Sequence, residues 1–384
     1  MPRLVLLALA LTACNGSTDD TDLDTDSTAE LVGCFGDAPS ATRTHIAVAS
    51  LPFNADGGQD NRFTTFALAA DGSLSPTGVE FSMGRAFSGN IRFSRDGRLG
   101  IAVQEDGSLG VFTVADDGSI AVVDPGYDGG DAFYARDVVF DSANERVWVV
   151  DGNWRNNGGG LYALQLDCES GALSSPAQVW PSKAASALIL RDDLPAIVVA
   201  DDVAESGDGS DTHLLDLADG TVHSSAALLD DDAIIASAAL VGDDWLLIGD
   251  NSTFSGVPNR VATARLNGNT IEPAEVISGI EDPYAIAASP WGNAALVSSG
   301  FGDELVLLRL ADGAWSRSAT TVRAPLPGAM QAIASGSLAG HVYVAENTGI
   351  RHLLFAEDGS VTDLGATGAG NEVDDVIGTM GVQP

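Results

Sequence analysis

Lysine is almost absent from this chain: Lys183 stands alone, and Lys and Arg together number 18 against 54 Asp and Glu. The resulting formal charge of −36 repels phosphate backbones and anionic headgroups, which excludes a nucleic-acid partner. No apolar run reaches the roughly 20 residues that a spanning helix needs. No His-x-x-x-His pair and no Cys–His cluster occurs among the 5 His and 3 Cys, which argues against a zinc site. A Gly-x-Ser-x-Gly elbow in a strand–turn–helix context is missing, and so are the glycine loops that cradle phosphates. Aromatic residues are sparse at 6%.

Hydrophobic residues nevertheless make up 45%, enough for a large core and too many for general disorder. Glycine is abundant at 44 residues, which suits many tight turns. A length of 384 residues fits one large all-β domain or two ordinary ones.

The first 14 residues read MPRLVLLALALTAC, with Arg3 followed by a short apolar run from Leu4 to Ala10. That is the pattern of a signal peptide rather than of an anchor helix. Leu11-Thr12-Ala13-Cys14 resembles the lipobox of bacterial lipoproteins. The resemblance implies cleavage after residue 13, a lipid on Cys14, and a place in the bacterial cell envelope, at the outer membrane or cell surface. Residues 14–43 contain the stretch GSTDDTDLDTDSTAE, which cannot bury surface and reads as an extended acidic tether. Asp22, Asp24 and Asp26 have the alternate spacing of a calcium loop, but Ser27 stands where that loop needs Gly. With Cys14 lipidated, Cys34 and Cys168 remain as an even pair in an oxidising compartment, a candidate disulfide.

From residue 44 onward the chain repeats. Short apolar strands place Val48, Val103, Val149, Val199, Ile248, Val297 and Val344 at equivalent positions, 46 to 55 residues apart. A second strand follows each. Then comes a tight turn: Asp71-Gly72, Asp117-Gly118, Ser170-Gly171, Asp219-Gly220, Asn267-Gly268, Asp312-Gly313 and Asp358-Gly359. Asx-Gly between apolar runs is a strong hairpin signal. A leading strand such as NIRFS (90–94) or DVVFD (137–141) brings each unit to four strands. Such units cannot hide both sheet faces alone, and a closed ring of them can. The fold class expected is all-β: a seven-bladed β-propeller over residues 44–384 with four antiparallel strands per blade. The first unit lacks a leading strand and the last residues have one to spare. Val376–Val382 is therefore expected to enter blade one as its inner strand and close the ring.

The phrases FALAADGSLS (66–75), FSRDGRLGIAV (93–103) and FTVADDGSIAV (112–122) resemble the lactonase-type and YVTN-type seven-bladed propellers, including bacterial 6-phosphogluconolactonase. The resemblance implies the fold and suggests a sugar-lactone substrate; fold alone does not set function. The family's enzymes are described with His, Glu and Arg lining a cleft, and no such motif aligns position by position here.

Chemistry is expected on the face where second strands end and inner strands begin. Glu105, Asp151, Asn153, Asp201, Asp250 and Glu346 fall at these exits. Oxygen ligands converging on an axis would suit calcium or another divalent cation. At the level of ligand types alone they resemble the metal site of gluconolactonase/regucalcin propellers. A bound ion there would polarise a lactone carbonyl. Asp and Asn after a strand are also ordinary turn residues, so both readings stand. Loops into the inner strands offer Arg85, Tyr134, Arg136, Asp137, Lys183, Asp282 and Tyr284, and the long loop offers Trp154 and Arg155. Of these, Trp154, Arg155, Arg136 and Tyr284 are the candidate contact residues for a sugar or peptide.

Two classes of function fit. One is a lipid-anchored binding module, monomeric and touching the membrane through its lipid alone, that takes a protein, glycan or small molecule on its loop-rich face. The other is a lactonase-like hydrolase, assisted or not by a divalent ion.

Overall fold

The computed structural model describes residues 44–384, except 54–57, 87–88, 131–132, 142–144, 153–157, 183, 192–195, 202–208, 231–232, 252–258 and 370–376, and the side chains of 196–201 and 236. The expected signal peptide and tether, with Cys14 and Cys34, lie outside the described residues, as do Asn153, Trp154 and Arg155.

Every described strand belongs to one of seven four-stranded antiparallel sheets. Blade 2 shows the common order: an inner strand at Ile91–Phe93, a second at Leu99–Val103, a third at Leu109–Val114 and an outer one at Ile120–Tyr127. Blades 3 to 7 repeat it, with inner strands beginning at Ala135, Ala185, Ile235, Pro283 and Met330. The inner strands touch one another in turn around the whole circle. The fold is a β-propeller.

Burial explains the sequence pattern. The second strand of blade 1, Ile46–Phe53, is buried at every position but the last, because neighbouring blades cover both its faces. The outer strand Leu74–Ser82 is buried only at Leu74 and carries polar residues. Seven hydrophobic clusters form the core, one at each interface between consecutive blades, including the interface of blades 7 and 1. Each fully buried Leu, Val or Phe contributes roughly 1.5–3 kcal/mol, and that apolar surface would face water on both sides of an isolated blade.

The seven expected turns all form. Their glycines, from Gly72 to Gly359, have φ between +57° and +84°, a region where a Cβ is strained. At Asp71 the carboxylate accepts hydrogen bonds from the backbone N–H and hydroxyl of Ser73. Asp117, Asp219 and Asp358 likewise accept the N–H of Ser119, Thr221 and Ser360.

The ring closes through the carboxyl-terminal residues, with a shorter strand than expected. Met380–Val382 pairs antiparallel with Ala47–Ala49 as the inner strand of blade 1. Three blades hold it. Gln383 accepts the N–H of Ile46 in blade 1 at 2.9 Å and donates to the carbonyl of Gly97 in blade 2 at 2.6 Å. The Gln331 amide of blade 7 takes both backbone groups of Val382, at 2.7 and 3.0 Å.

Candidate functional site

A cavity of about 260 Å³ occupies the propeller axis on the face where second strands end and inner strands begin. Blade 2 contributes Asn90, Arg92, Gln104 and Glu105; blade 3 contributes Tyr134, Arg136 and Asp137; Ser186, Ser237, Asn251 and Tyr284 come from blades 4 to 6. The size lies just below the ~300 to 1,000 Å³ of drug-sized ligand sites and suits a small molecule.

Asp137 ties three blades together. Its Oδ1 accepts the N–H of Val138 at 2.9 Å, and its Oδ2 accepts the N–H of Leu188 in blade 4 at 3.2 Å. The Arg92 guanidinium of blade 2 stands 3.6 Å from Oδ1. Burial raises the Asp137 carboxyl above its usual range, against the opposing pull of the Arg92 charge and these hydrogen bonds. Arg92 uses only its outer nitrogen in that contact; its Nε is buried without a hydrogen-bond partner. Asn90 Oδ1, Ser237 Oγ and Asn251 Oδ1 are also buried and unpartnered. Four such atoms on residues lining one cavity are unusual, since buried polar groups are nearly always paired.

Arg136 lies exposed at the rim, its stem resting on Gly152, where a Cβ would come within 2.6 Å of Arg136 Cγ. It forms no ion pair with any described residue, in a chain with three acidic groups for each basic one. Arg85 is engaged with Glu105. The Tyr134 hydroxyl donates to the Glu105 carbonyl at 3.0 Å.

The carboxylates expected at the second-strand exits are placed as expected along the chain, but the structure gives most of them another use. Asp151 is fully buried and accepts the Tyr134 N–H at 3.2 Å. Asp250, equally buried, accepts the Ile234 N–H at 3.1 Å and pairs with Arg260 at 2.8 Å. Glu346 pairs with Arg351 at 2.8 Å and accepts the Thr348 hydroxyl. The equivalent positions in blades 1 and 6 are serines with the same job. Ser50 accepts the Thr379 N–H at 2.8 Å, and Ser299 donates to the Glu281 carbonyl at 2.5 Å. In blades 1, 3, 5, 6 and 7 the polar residue two places after the buried Val or Ile thus clamps its own blade's loops. Among the described residues no three acidic, His or Cys side chains gather where a metal would be held. Glu105 alone of this set lines the cavity; Asp201 is described only as backbone, paired with Ala185. Cys168 is disulfide-bonded, to a partner outside the described residues.

Arg136, Tyr284 and Asp137 were legible as loop residues leading into inner strands, and all three line the cavity. Arg92, Asn90 and Ser237 were not. The available signal was Arg92 itself, a charged residue between Ile91 and Phe93 in a strand that abuts the axis.

The architecture defines the class: a four-stranded-blade β-propeller with a polar axial cavity. No family model and no curated protein matches the chain by sequence. Among solved structures, a Bacteroides fragilis protein provisionally described as a 6-phosphogluconolactonase superposes with a TM-score of 0.65 at 11% identity, over 90% of this chain and 100% of that one. The periplasmic gluconolactonase of Pseudomonas aeruginosa gives 0.59 at 16% identity, over 76% and 85%. A hypothetical selenium-binding protein of Sulfolobus tokodaii gives 0.64 at 11%, over 88% and 93%. The chain has the fold of the 6-phosphogluconolactonase-like propellers, and at these identities the likeness is one of fold.

Proposed function

We propose that this chain is a lipid-anchored propeller of the bacterial envelope that binds a small, hydroxyl-bearing anion in its axial cavity. The observation that carries the reading is the polar axial cavity itself, lined by the Arg92 side chain, which is 33% exposed, and by Asn90, Ser237 and Asn251, with Arg136 at its rim. A ligand presenting both an anionic group and hydroxyls matches that lining of guanidinium, amide and hydroxyl side chains. Arg136 at the rim adds a free positive charge that draws an anion through an otherwise negative field. The lipobox-like tetrad ending at Cys14 supports the anchor and the compartment.

Hydrolysis of a sugar lactone is the second reading. It is favoured by the two gluconolactonase-like neighbours and by the Asp137 carboxyl, whose raised proton affinity suits a general acid or base.

Calorimetric titration with D-gluconate, 6-phosphogluconate and neutral glucose tests the binding reading. The two anions are expected to bind, and Arg136→Ala is expected to weaken them about tenfold or more. Binding of glucose alone, or of none of the three, overturns it. Acid release from glucono-1,5-lactone in a pH-stat, lost in Asp137→Asn, decides for the hydrolase.

A further inference from the structure

Arg92 and Asp137 face each other across the seam between the inner strands of blades 2 and 3, and both line the cavity. The carboxylate is fixed. Two backbone N–H groups, from Val138 and Leu188, hold its two oxygens, so it cannot swing away. The guanidinium is only partly engaged: the nearest approach to Asp137 is 3.6 Å, and Nε has no partner. An anion entering the cavity therefore meets a guanidinium whose charge is already balanced by a partly buried carboxylate.

Three charges cannot share that seam at equal strength. Two anions beside one cation leave a net negative charge at a partly buried seam, where it is screened less than in bulk water. The carboxylate can relieve this by taking up a proton. Among the described charges Arg92 acts on it directly, and the paired strand Arg146–Asp151 supplies the buried Asp151, whose carboxylate is turned to the Tyr134 N–H. Its own strand supplies Arg136, which is exposed at the rim; blade 2 supplies Arg92, with Glu105 turned to Arg85; blade 4 supplies the Leu188 backbone and Ser186, neither of which titrates. Loss of the Arg92 charge to a ligand thus falls on Asp137 with little to buffer it.

We propose that anion binding at Arg92 is coupled to uptake of one proton by Asp137, so that the empty cavity is held neutral by the Arg92–Asp137 pair and the filled one by the Arg92–ligand pair. The proton comes from solvent onto a carboxylate oxygen, and no bond of the ligand changes. The inference rests on the anionic-ligand reading above and deepens it. Burial, which already raises the Asp137 carboxyl, acts in the same direction. In this account Asp137 is a positioning residue that acts through Arg92. Its removal should help an anion rather than hinder it.

The test is calorimetric titration of the full chain with D-gluconate in two buffers of different ionisation enthalpy. The expected result is uptake approaching one proton per ligand, with affinity rising up to about tenfold per pH unit as pH falls through the window between the free and bound values of Asp137. Asp137→Asn is expected to bind gluconate at least as tightly as wild type and with no proton uptake. The wild-type proton count needs no variant, so a folding defect in Asp137→Asn does not blunt the test. Binding without proton uptake overturns the coupling and leaves the anionic site standing. Weaker, still pH-dependent binding by a folded Asp137→Asn does the same. Failure of gluconate and 6-phosphogluconate to bind at all overturns the anionic-ligand reading and this inference with it.

Discussion

The Nδ1 atom of His341 lies 2.7 Å from the Nε2 atom of His352, in neighbouring strands of blade 7 on the face opposite the cavity. The rings stack, and Tyr343 stacks in turn on His352. The Tyr343 hydroxyl then crosses to blade 1 and donates to the Gly72 carbonyl at 2.8 Å. The cluster lies at the interface where the chain's beginning meets its end.

Burial and the neighbouring His341 push the His352 imidazole down to about 4, while Asp71 pulls the other way. His341 is lowered too, by burial. The unfolded chain therefore binds more protons between about pH 6.5 and 4, so this pair's contribution is complete above 6.5 and lost as pH falls to 4. For His352 that amounts to about 3 kcal/mol. Thermal unfolding across this range should show wild type losing its advantage over His352→Gln as the buffer is acidified. A constant difference between the two would contradict the assignment.

Gly72 should not tolerate a side chain. Its φ is +82°, and a Cβ would lie 2.2 Å from His341 Nδ1. Gly72→Ala is expected to cost about 1–3 kcal/mol from backbone strain, plus the displacement of the histidine. Chemical denaturation measures it. Gly313→Ala is the control for strain alone, since nothing lies within 4 Å of its Cβ position.

Asp250→Ala tests whether the second-strand carboxylates serve the fold. The substitution leaves Arg260 with only the exposed Asp230 and strips the Ile234 N–H of its acceptor. A loss of about 1–3 kcal/mol is expected, because the Ile234 N–H is left unsatisfied and Arg260 loses the buried one of its two carboxylate partners. Gluconate affinity should be unchanged in protein that stays folded. Wild-type unfolding should be indifferent to calcium or EDTA if these carboxylates are saturated by their own loops, and a calcium-dependent midpoint would restore the cation reading.

Removal of residues 379–384 should cost most of the cooperative stability, since that strand is bonded to blades 7, 1 and 2 at once. Gln383→Ala is the gentler version. It leaves the Ile46 N–H and the Gly97 carbonyl without their side-chain partner and is expected to cost about 1–3 kcal/mol. A truncated chain that melts with the wild-type midpoint would show that the ring does not depend on closure.

The sequence by itself determined the blades. Val48 and its six equivalents, the Asx-Gly turns and the spare carboxyl-terminal strand are patterns readable along the chain: the turns form by local hydrogen bonding, and the period and polarity mark the strands that the neighbouring blades then bury. The chemistry of Asp151, Asp250 and Glu346 was not so legible. A carboxylate after a strand looks the same in sequence whether it clamps its own loop or faces an axis. The decision rests on partners such as Arg260 and Arg351, which only the folded blade brings within 3 Å. Arg92 and Asp137 are 45 positions apart in sequence and meet because closing the ring presses one inner strand against the next. Period and polarity are written along the chain; convergence on the axis is a property of the ring, and only the tertiary structure could set it.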